Sequence, residues 1–181
     1  MLLLVALACG CPRVDAPPPS TPSDTEVAGA QPRAQPPEAE PGAGERGKLQ
    51  GLTAAHNAVR KKVGVAPLRW SRQLARYAQT WADRLAARGC DLQHRRSSQY
   101  GENLFWSSHP VDADAVVAEW AAEAVDYNHR NNACKSTCGH YTQVVWSGSQ
   151  SIGCGMARCG ESELWVCNYD PPGNMVGRKP Y

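Results

Sequence analysis

The sequence has no long block of lysine and arginine residues and no hydrophobic run of membrane-spanning length. Its apolar start, Met1–Gly10, has about half of the roughly 20 residues that a transmembrane helix needs. Residues 46–181 hold 17 basic and 11 acidic residues, and the resulting net charge of +6 is dispersed. Nucleic acid is therefore not an expected partner.

Several catalytic signatures are also missing. There is no HExxH zinc-protease motif, no GxSxG nucleophile elbow, and no glycine-rich phosphate loop between a strand and a helix. The sequence therefore assigns no catalytic nucleophile, and any catalytic residue stays unknown at this level.

The cysteines of the body do not form the CxxC pairs of zinc ribbons. They are six in number: Cys90, Cys134, Cys138, Cys154, Cys159 and Cys167. An even count behind an export-like start predicts disulfides formed in an oxidising compartment. Six cysteines allow 15 pairings, and spacing does not choose among them.

The N-terminal quarter predicts export rather than a folded domain. Residues 1–11 resemble a secretory or bacterial lipoprotein signal, with Cys11 (or Cys9) as the candidate for lipidation and a cleaved soluble signal as the alternative. Residues 12–47 are rich in proline, and the first 45 residues hold 9 of the 14 prolines. This composition predicts a disordered linker. The expected location is extracellular or the cell envelope, with membrane attachment through a lipid anchor.

The remaining pattern changes from helical to strand-like along the chain. Apolar residues at three-to-four spacing predict helices over Lys48–Val63, Ser71–Arg88 and Asp112–Tyr127, with Ser71 as an N-cap. Short runs rich in valine, tryptophan and tyrosine predict strands at Tyr141–Trp146, Ile152–Met156 and Leu164–Tyr169, arranged as an antiparallel meander. Helices followed by strands predict an α+β domain in which helices cover the sheet.

Four side chains could carry chemistry by type alone: His94, Glu102, Glu123 and His140. Two imidazoles and two carboxylates suffice to hold a divalent metal or to move protons near neutral pH. His56 lies in the apolar stripe of the first helix, and we predict that it belongs to the core.

Two long motifs connect these residues to a known family. Gly139–Trp146 (GHYTQVVW) and Val166–Asn174 (VCNYDPPGN) resemble the two signatures of the CAP superfamily, which includes cysteine-rich secretory proteins, antigen 5 and plant pathogenesis-related class-1 proteins. Shorter matches lie upstream: HNxxR at His56–Arg60, His94 before YGENL at Tyr100–Leu104, and the Trp120/Glu123 helix. The resemblance covers about Leu49–Tyr181, so 48–181 is identified as a CAP (SCP) domain closest to the plant branch.

The resemblance implies a three-layer α-β-α sandwich with a central antiparallel sheet. It implies that His94, Glu102, Glu123 and His140, which we call the tetrad, converge in one cleft, where His94 and His140 hold zinc or another divalent cation. It also implies the disulfides Cys90–Cys159, Cys134–Cys138 and Cys154–Cys167.

Three functions follow from the resemblance as alternatives. The first is binding of a small hydrophobic ligand, such as a sterol or fatty acid, or of an envelope or host component. The second is metal-dependent hydrolysis by the tetrad, and the third is release of a C-terminal peptide, Pro171–Tyr181. The loop Tyr127–Lys135, through which some relatives bind sterols, is polar here. We favour binding over the other two.

Overall fold

The computed structural model describes residues 44–181, so the predicted export segment and the predicted linker up to residue 43 lie outside the described residues. The helices are α1 (Leu52–Lys62), α2 (Arg72–Ala86), α3 (Ala113–Ala122) and α4 (Gly139–Val144). The strands are β1 (Arg69–Trp70), β2 (Gly101–Ser107), β3 (Tyr127–Asn128), β4 (Ala133–Cys134), β5 (Ser151–Cys159) and β6 (Ser162–Asp170). Short 3-10 turns cover Gly47–Leu49 and Glu123–Asp126.

One four-stranded sheet organises the domain in the order β1-β5-β6-β2, and β3 pairs with β4 in a separate hairpin. Strand β6 is antiparallel to both β5 and β2, whereas the two residues of β1 run parallel to β5. Helix α2 packs on one face, and α1, α3 and α4 pack on the other. The predicted α-β-α sandwich is therefore confirmed. The sequence patterns had assigned no strand to β2.

Strand β6 is buried on both faces because helices cover both sides of the sheet. Leu164 and Val166 belong to the cluster under α2, and Trp165 and Tyr169 belong to the cluster under α1 and α3. This alternation follows the two-residue period of a strand. It explains why the sequence of β6 reads as a nearly continuous apolar run rather than as a clean alternation.

The predicted helices form close to their expected bounds. The Ser71 hydroxyl accepts a hydrogen bond from Leu74 N at 3.3 Å, so the predicted N-cap of α2 is confirmed. The third helix is shorter than predicted, because α3 ends at Ala122 and a 3-10 turn continues to Asp126. Within residues 44–181, no helix has both the length and the apolar character needed to cross a bilayer.

The predicted strand Tyr141–Trp146 is wrong, because this segment contains helix α4. Contacts from other elements explain the difference. The Glu123 carboxylate accepts hydrogen bonds from the first amides of the helix, His140 N at 2.9 Å and Tyr141 N at 3.2 Å. At the other end, the Arg60 guanidinium donates to Val144 O at 2.9 Å. Hydrogen bonds from these distant residues satisfy backbone groups at both ends of the helix. They outweigh the strand propensity of the local sequence.

The last residues of the predicted linker contact the domain. The Glu45 carboxylate accepts hydrogen bonds from Gly51 N at 2.9 Å and Thr53 N at 2.8 Å, and the Thr53 hydroxyl also donates to it. Gly51 is the N-cap of α1 and has no side chain to satisfy these amides. Glu45 therefore caps α1 from a distance, and its negative charge suits a helix N-terminus.

Three disulfides link the described elements in the pairing that the resemblance implies. Cys154 and Cys167 are opposite each other on β5 and β6. Cys90–Cys159 ties the segment after α2 to the end of β5, and Cys134–Cys138 closes the short loop before α4.

Helix α2 lies so close to β5 that two strand positions admit only glycine. A Cβ atom on Gly155 would lie 2.4 Å from the backbone N and Cα of Gln79, and one on Gly153 would lie 2.2 Å from Ala75 N. We expect Gly155→Ala to lower the free energy of unfolding by about 1–3 kcal/mol, because the helix must move away from the sheet. Denaturant unfolding measures this cost.

Gly139→Ala is the matched control, since a Cβ there meets no atom within 4 Å. Equal denaturation midpoints for the two variants would contradict the close approach of α2 and β5.

Candidate functional site

The first half of the tetrad is a hydrogen-bonded pair at the start of β2. His94 Nδ1 lies 2.9 Å from Glu102 Oε1, and the same oxygen accepts from Arg95 N at 3.0 Å. Because an ionised carboxylate only accepts, Nδ1 carries the proton and Nε2 is left for a ligand. The His94 side chain is 64% exposed and that of Glu102 only 6%. The hydrogen bond to Glu102 raises the pKa of His94 against the opposing effect of burial.

The second half is a similar pair at the start of α4. His140 Nδ1 lies 2.6 Å from Glu123 Oε1, while Glu123 Oε2 caps the backbone of α4. The imidazole of His140 stacks on buried Trp120, with ring centroids 6.3 Å apart and an interplanar angle of 18°. Glu123 therefore positions both the helix and the side chain of His140, and Trp120 fixes the plane of the ring.

Strand β2 connects the two pairs. Glu102 holds His94, and the next residue, Asn103, donates from Nδ2 to His140 O at 3.1 Å. Asn103 also donates to the Tyr169 hydroxyl at 3.2 Å, and it is 1% exposed. Sequence reasoning missed Asn103 as a positioning residue, although it stands inside the quoted YGENL motif. Its side chain is the direct link between β2 and the segment that carries His140.

A cavity of about 460 Å³ opens beside the first pair. Its lining includes His94 and Glu102, Gln143 from α4, and Asn174 from Pro171–Tyr181, which we call the C-terminal segment. His140 and Glu123 are not among its lining residues. The structure thus brings the tetrad into two pairs, and their convergence in one cleft stays a prediction.

The two histidine–carboxylate pairs are the donor set for the divalent ion that the resemblance implies. Each imidazole has its Nδ1 held by a carboxylate, the arrangement that orients metal-binding histidines and makes them more basic. Within residues 44–181, no three histidine, cysteine or acidic side chains lie close enough to hold one ion together. The oriented imidazoles of His94 and His140 therefore have the chemistry of metal-binding histidines, and a divalent ion held by both of them stays a prediction.

His56 belongs to the core, as predicted, and is 0% exposed. Its Nδ1 donates to Leu52 O at 2.7 Å, and its Nε2 accepts from the Tyr169 hydroxyl at 2.8 Å. Tyr169 in turn receives the hydrogen bond from Asn103. A buried chain of hydrogen bonds thus runs from α1 through β6 and β2 to the backbone of His140.

The C-terminal segment packs on α4 and on the β3–β4 hairpin. Gly173 N donates to Gln143 Oε1 at 3.0 Å, and Ser147 N donates to Pro180 O at 2.7 Å. The Tyr181 ring stacks on His129 at a centroid distance of 4.5 Å, and its hydroxyl lies 3.0 Å from that of Tyr141. His129, in the loop of the β3–β4 hairpin, therefore contacts the end of this segment.

Comparisons with known proteins agree with the fold and with the motifs. The model of the family described as "CAP: Cysteine-rich secretory protein family" matches residues 53–169. Pathogenesis-related protein 1C of Nicotiana tabacum is 48% identical over 131 residues, covering 70% of this chain and 77% of the relative. Pathogenesis-related protein 1 of Arabidopsis thaliana is 44% identical over 133 residues, covering 73% and 81%.

Among solved structures, venom allergen-like protein 4 of Schistosoma mansoni superposes with a TM-score of 0.61 at 30% identity, covering 73% of this chain and 92% of that one.

Proposed function

Because this chain belongs to the CAP family of cysteine-rich secretory proteins, we propose that it is an extracellular binding domain for a small amphipathic ligand of the sterol or fatty-acid class. The observation that carries this proposal is a pair of adjoining cavities with different linings. The first has the more polar lining, the second has the more apolar one although it also includes Asn132 and Arg178, and Asn174 lines both.

The polar cavity, beside His94 and Glu102, suits the head of such a ligand. Its walls include the polar residues Ser97, Tyr100 and Gln143 as well as His94 and Glu102. Gln143 is 2% exposed and its Oε1 accepts from Gly173 N, so its amide is held in place. A few fixed polar groups in a concave site determine the orientation of a ligand.

The second cavity, of about 290 Å³, suits the apolar body. It lies between α4, the Cys134–Cys138 disulfide and the C-terminal segment, and its walls include Tyr127, Trp146 and Met175. Met175 is 49% exposed, so apolar surface is available to a ligand there. Covering such surface is favourable by roughly 25 cal/mol per Å².

Ligand binding is tested by titrating delipidated protein with labelled sterol and fatty acid. We expect saturable binding, and we expect Met175→Gln to weaken it about fivefold to tenfold because the variant removes apolar contact area. Val125→Gln is the matched control, since Val125 is 88% exposed and lines neither cavity. Absence of saturable binding for both lipid classes would refute the proposal.

A divalent ion is the cofactor that we propose for the tetrad, with Nε2 of His94 and His140 as its protein ligands. We expect calorimetric titration to show one zinc ion bound per chain, and we expect His94→Ala/His140→Ala to abolish it. His109→Ala is the control, because His109 is exposed and lies in neither histidine–carboxylate pair; its ring is hydrogen-bonded to the Ser108 hydroxyl. Unchanged zinc binding in the double variant would exclude these two ligands.

Hydrolysis is the second candidate, and the two histidine–carboxylate pairs favour it. A neutral imidazole oriented by a carboxylate can accept a proton from water. Against it, the Ser98 hydroxyl beside His94 is engaged with the backbone of Tyr100, donating to Tyr100 O and accepting from Tyr100 N, each at 3.1 Å. Turnover of peptide or ester substrates by the zinc-loaded protein, abolished in His140→Ala, would establish this function.

Two further predictions concern the ends of the sequence. Release of Pro171–Tyr181 as a peptide would break its hydrogen bonds to Gln143 and Ser147. These contacts support a packed segment rather than a released one. Lipid attachment at Cys11 (or Cys9) concerns residues outside the described range. Mass spectrometry of the mature protein beside Cys11→Ser tests the lipid anchor.

A further inference from the structure

A third cavity, of about 400 Å³, lies between the end of α2 and the segment that carries His94. Arginines dominate its lining: Arg84 and Arg88 come from α2 and the turn after it, and Arg95 and Arg96 follow His94 in the chain. No aspartate or glutamate lines it. We call these four residues the arginine cluster.

The arginine cluster is not paired with a carboxylate of the residues that the structure describes. Within residues 44–181, none of its four members takes part in an ion pair, and the side chains of Arg84, Arg88 and Arg96 are exposed and donate no hydrogen bond to a described acceptor. Four like charges around one concave surface raise the local positive potential and attract anions.

A solvated basic surface is the alternative explanation, and it accounts for only part of the arginine cluster. Arg84 stands in the last turn of α2, where the helix dipole favours a cation without any ligand. Arg95 and Arg96 belong to a different segment of the chain, so the dipole of α2 does not account for their positive charge. Two segments therefore contribute positive charge to the same concavity.

Arg95 is held in a fixed orientation that leaves donors unused. Its Nη2 donates to Tyr77 O at 2.9 Å, and its guanidinium carbon lies 3.6 Å from the centroid of the Tyr77 ring. Its Nε is buried and has no hydrogen-bond partner among the described residues. Trp81 anchors the same segment by donating to Gln93 O at 2.9 Å. An arginine ordered before binding loses less entropy when it binds an anion.

We infer that the arginine cluster binds phosphate groups. The planar guanidinium fork matches the oxygens of phosphate and can donate two parallel hydrogen bonds to them. The volume of about 400 Å³ exceeds that of a single phosphate and accommodates a ligand with several. Arg84, Arg88 and Arg96 do not line the two cavities assigned to the amphipathic ligand, whereas Arg95 and His94 line both this cavity and the first of those two.

The test uses the whole chain in phosphate-free buffer at low ionic strength. Calorimetry follows titration with inorganic phosphate, pyrophosphate and tripolyphosphate, and sedimentation follows binding to phosphatidylcholine vesicles with and without phosphatidic acid. We expect saturable binding that strengthens with the number of phosphates, and at least a tenfold loss of affinity in Arg84→Gln/Arg88→Gln. Arg96→Gln, a single exposed replacement, is a second variant expected to weaken binding.

Lys61→Gln/Lys62→Gln is the matched control. It removes the same charge from exposed positions in the last turn of another helix, α1. Loss of binding in the arginine variants alone supports the site. Binding to phosphatidic acid vesicles then assigns it to lipid headgroups, and binding of oligophosphates alone assigns it to soluble phosphates. No saturable binding, or equal loss in the lysine control, overturns the inference.

Discussion

Replacing Arg60 with methionine is expected to lower the free energy of unfolding by about 3–5 kcal/mol. The Arg60 side chain is 0% exposed, and its guanidinium donates to Ala66 O at 2.7 Å, to Val144 O and Trp146 O at 2.9 Å, and to Ser149 O at 3.1 Å.

Methionine fills a similar volume but donates nothing, so it leaves these carbonyls unsatisfied at a cost of about 1–3 kcal/mol for each buried group. Burial lowers the pKa of Arg60 to about 10, so the guanidinium is charged at neutral pH. Methionine carries no charge, so the variant no longer has the cost of burying a charged guanidinium. The expected loss of stability is therefore smaller than the sum of the penalties for four unsatisfied carbonyls.

Urea unfolding at pH 7, followed by tryptophan fluorescence, measures the effect of Arg60→Met. The neighbouring replacement Lys61→Met is the control, because Lys61 is exposed, and we expect it to change stability by less than about 0.5 kcal/mol. If the two variants unfold at the same urea concentration, the buried arginine does not stabilise the turn after α4. A secondary expectation is weaker zinc binding, because Val144 O belongs to the helix that carries His140.

The second large effect is loss of stability in mild acid, caused by His56. Burial lowers the pKa of His56 from 6.5 to about 4, against the opposing effect of its hydrogen bond to Leu52 O. As the pH falls below 6.5, the unfolded chain takes up a proton that the folded protein does not. Stability is therefore fully present above pH 6.5 and is lost progressively towards pH 4, by about 3 kcal/mol in total.

The pH range from 6.5 to 5 isolates this effect from the titration of most carboxylates, and about 1.5 kcal/mol of the loss is expected there. Stability curves of wild type and His56→Gln should differ in slope over that range. His94 acts in the opposite direction, because its raised pKa favours the folded state as the pH falls. Equal slopes for wild type and His56→Gln would show that His56 does not cause the loss of stability in acid.

Both expected effects reach the candidate site through the interior. Arg60 binds the carbonyl at the end of α4, and His56 is joined to His140 O through Tyr169 and Asn103. The exposed nitrogen atoms of the site thus depend on buried hydrogen bonds from α1, β2 and β6. The HNxxR segment therefore supports the tetrad through hydrogen bonds, although it contributes no residue to the tetrad.

Sequence reasoning identified the residues of both histidine–carboxylate pairs, and it did so through the motifs rather than through spacing. His94 and Glu102 are close in the chain, but Glu123 and His140 are 17 residues apart. Periodicity found α2 because that helix has one apolar face towards the sheet, and it found α1 although the buried residues of α1 include Thr53, His56 and Arg60. It missed β2, whose residues are partly buried in no simple alternation.

Helix α4 shows where local patterns fail. Tyr141–Val144 are all buried, so no polar face marks the segment as a helix, and its β-branched residues favour a strand. Its conformation depends on Glu123 at one end and Arg60 at the other, which are 17 and 84 residues away in the chain. The arginine cluster was missed for a similar reason, because Arg84 and Arg96 become neighbours of one cavity only after the chain has folded.

By itself, the sequence determined the family, the α+β class, the cysteines available for disulfides and the identity of the tetrad, because these reside in residue types and ordered motifs. Only the tertiary structure decided that the tetrad forms two pairs, that GHYTQV is a helix, and that one cavity opens beside His94 and Glu102 and a second, arginine-lined cavity opens beside His94. Those features depend on distances between side chains that are far apart in the chain, and a linear pattern does not contain such distances.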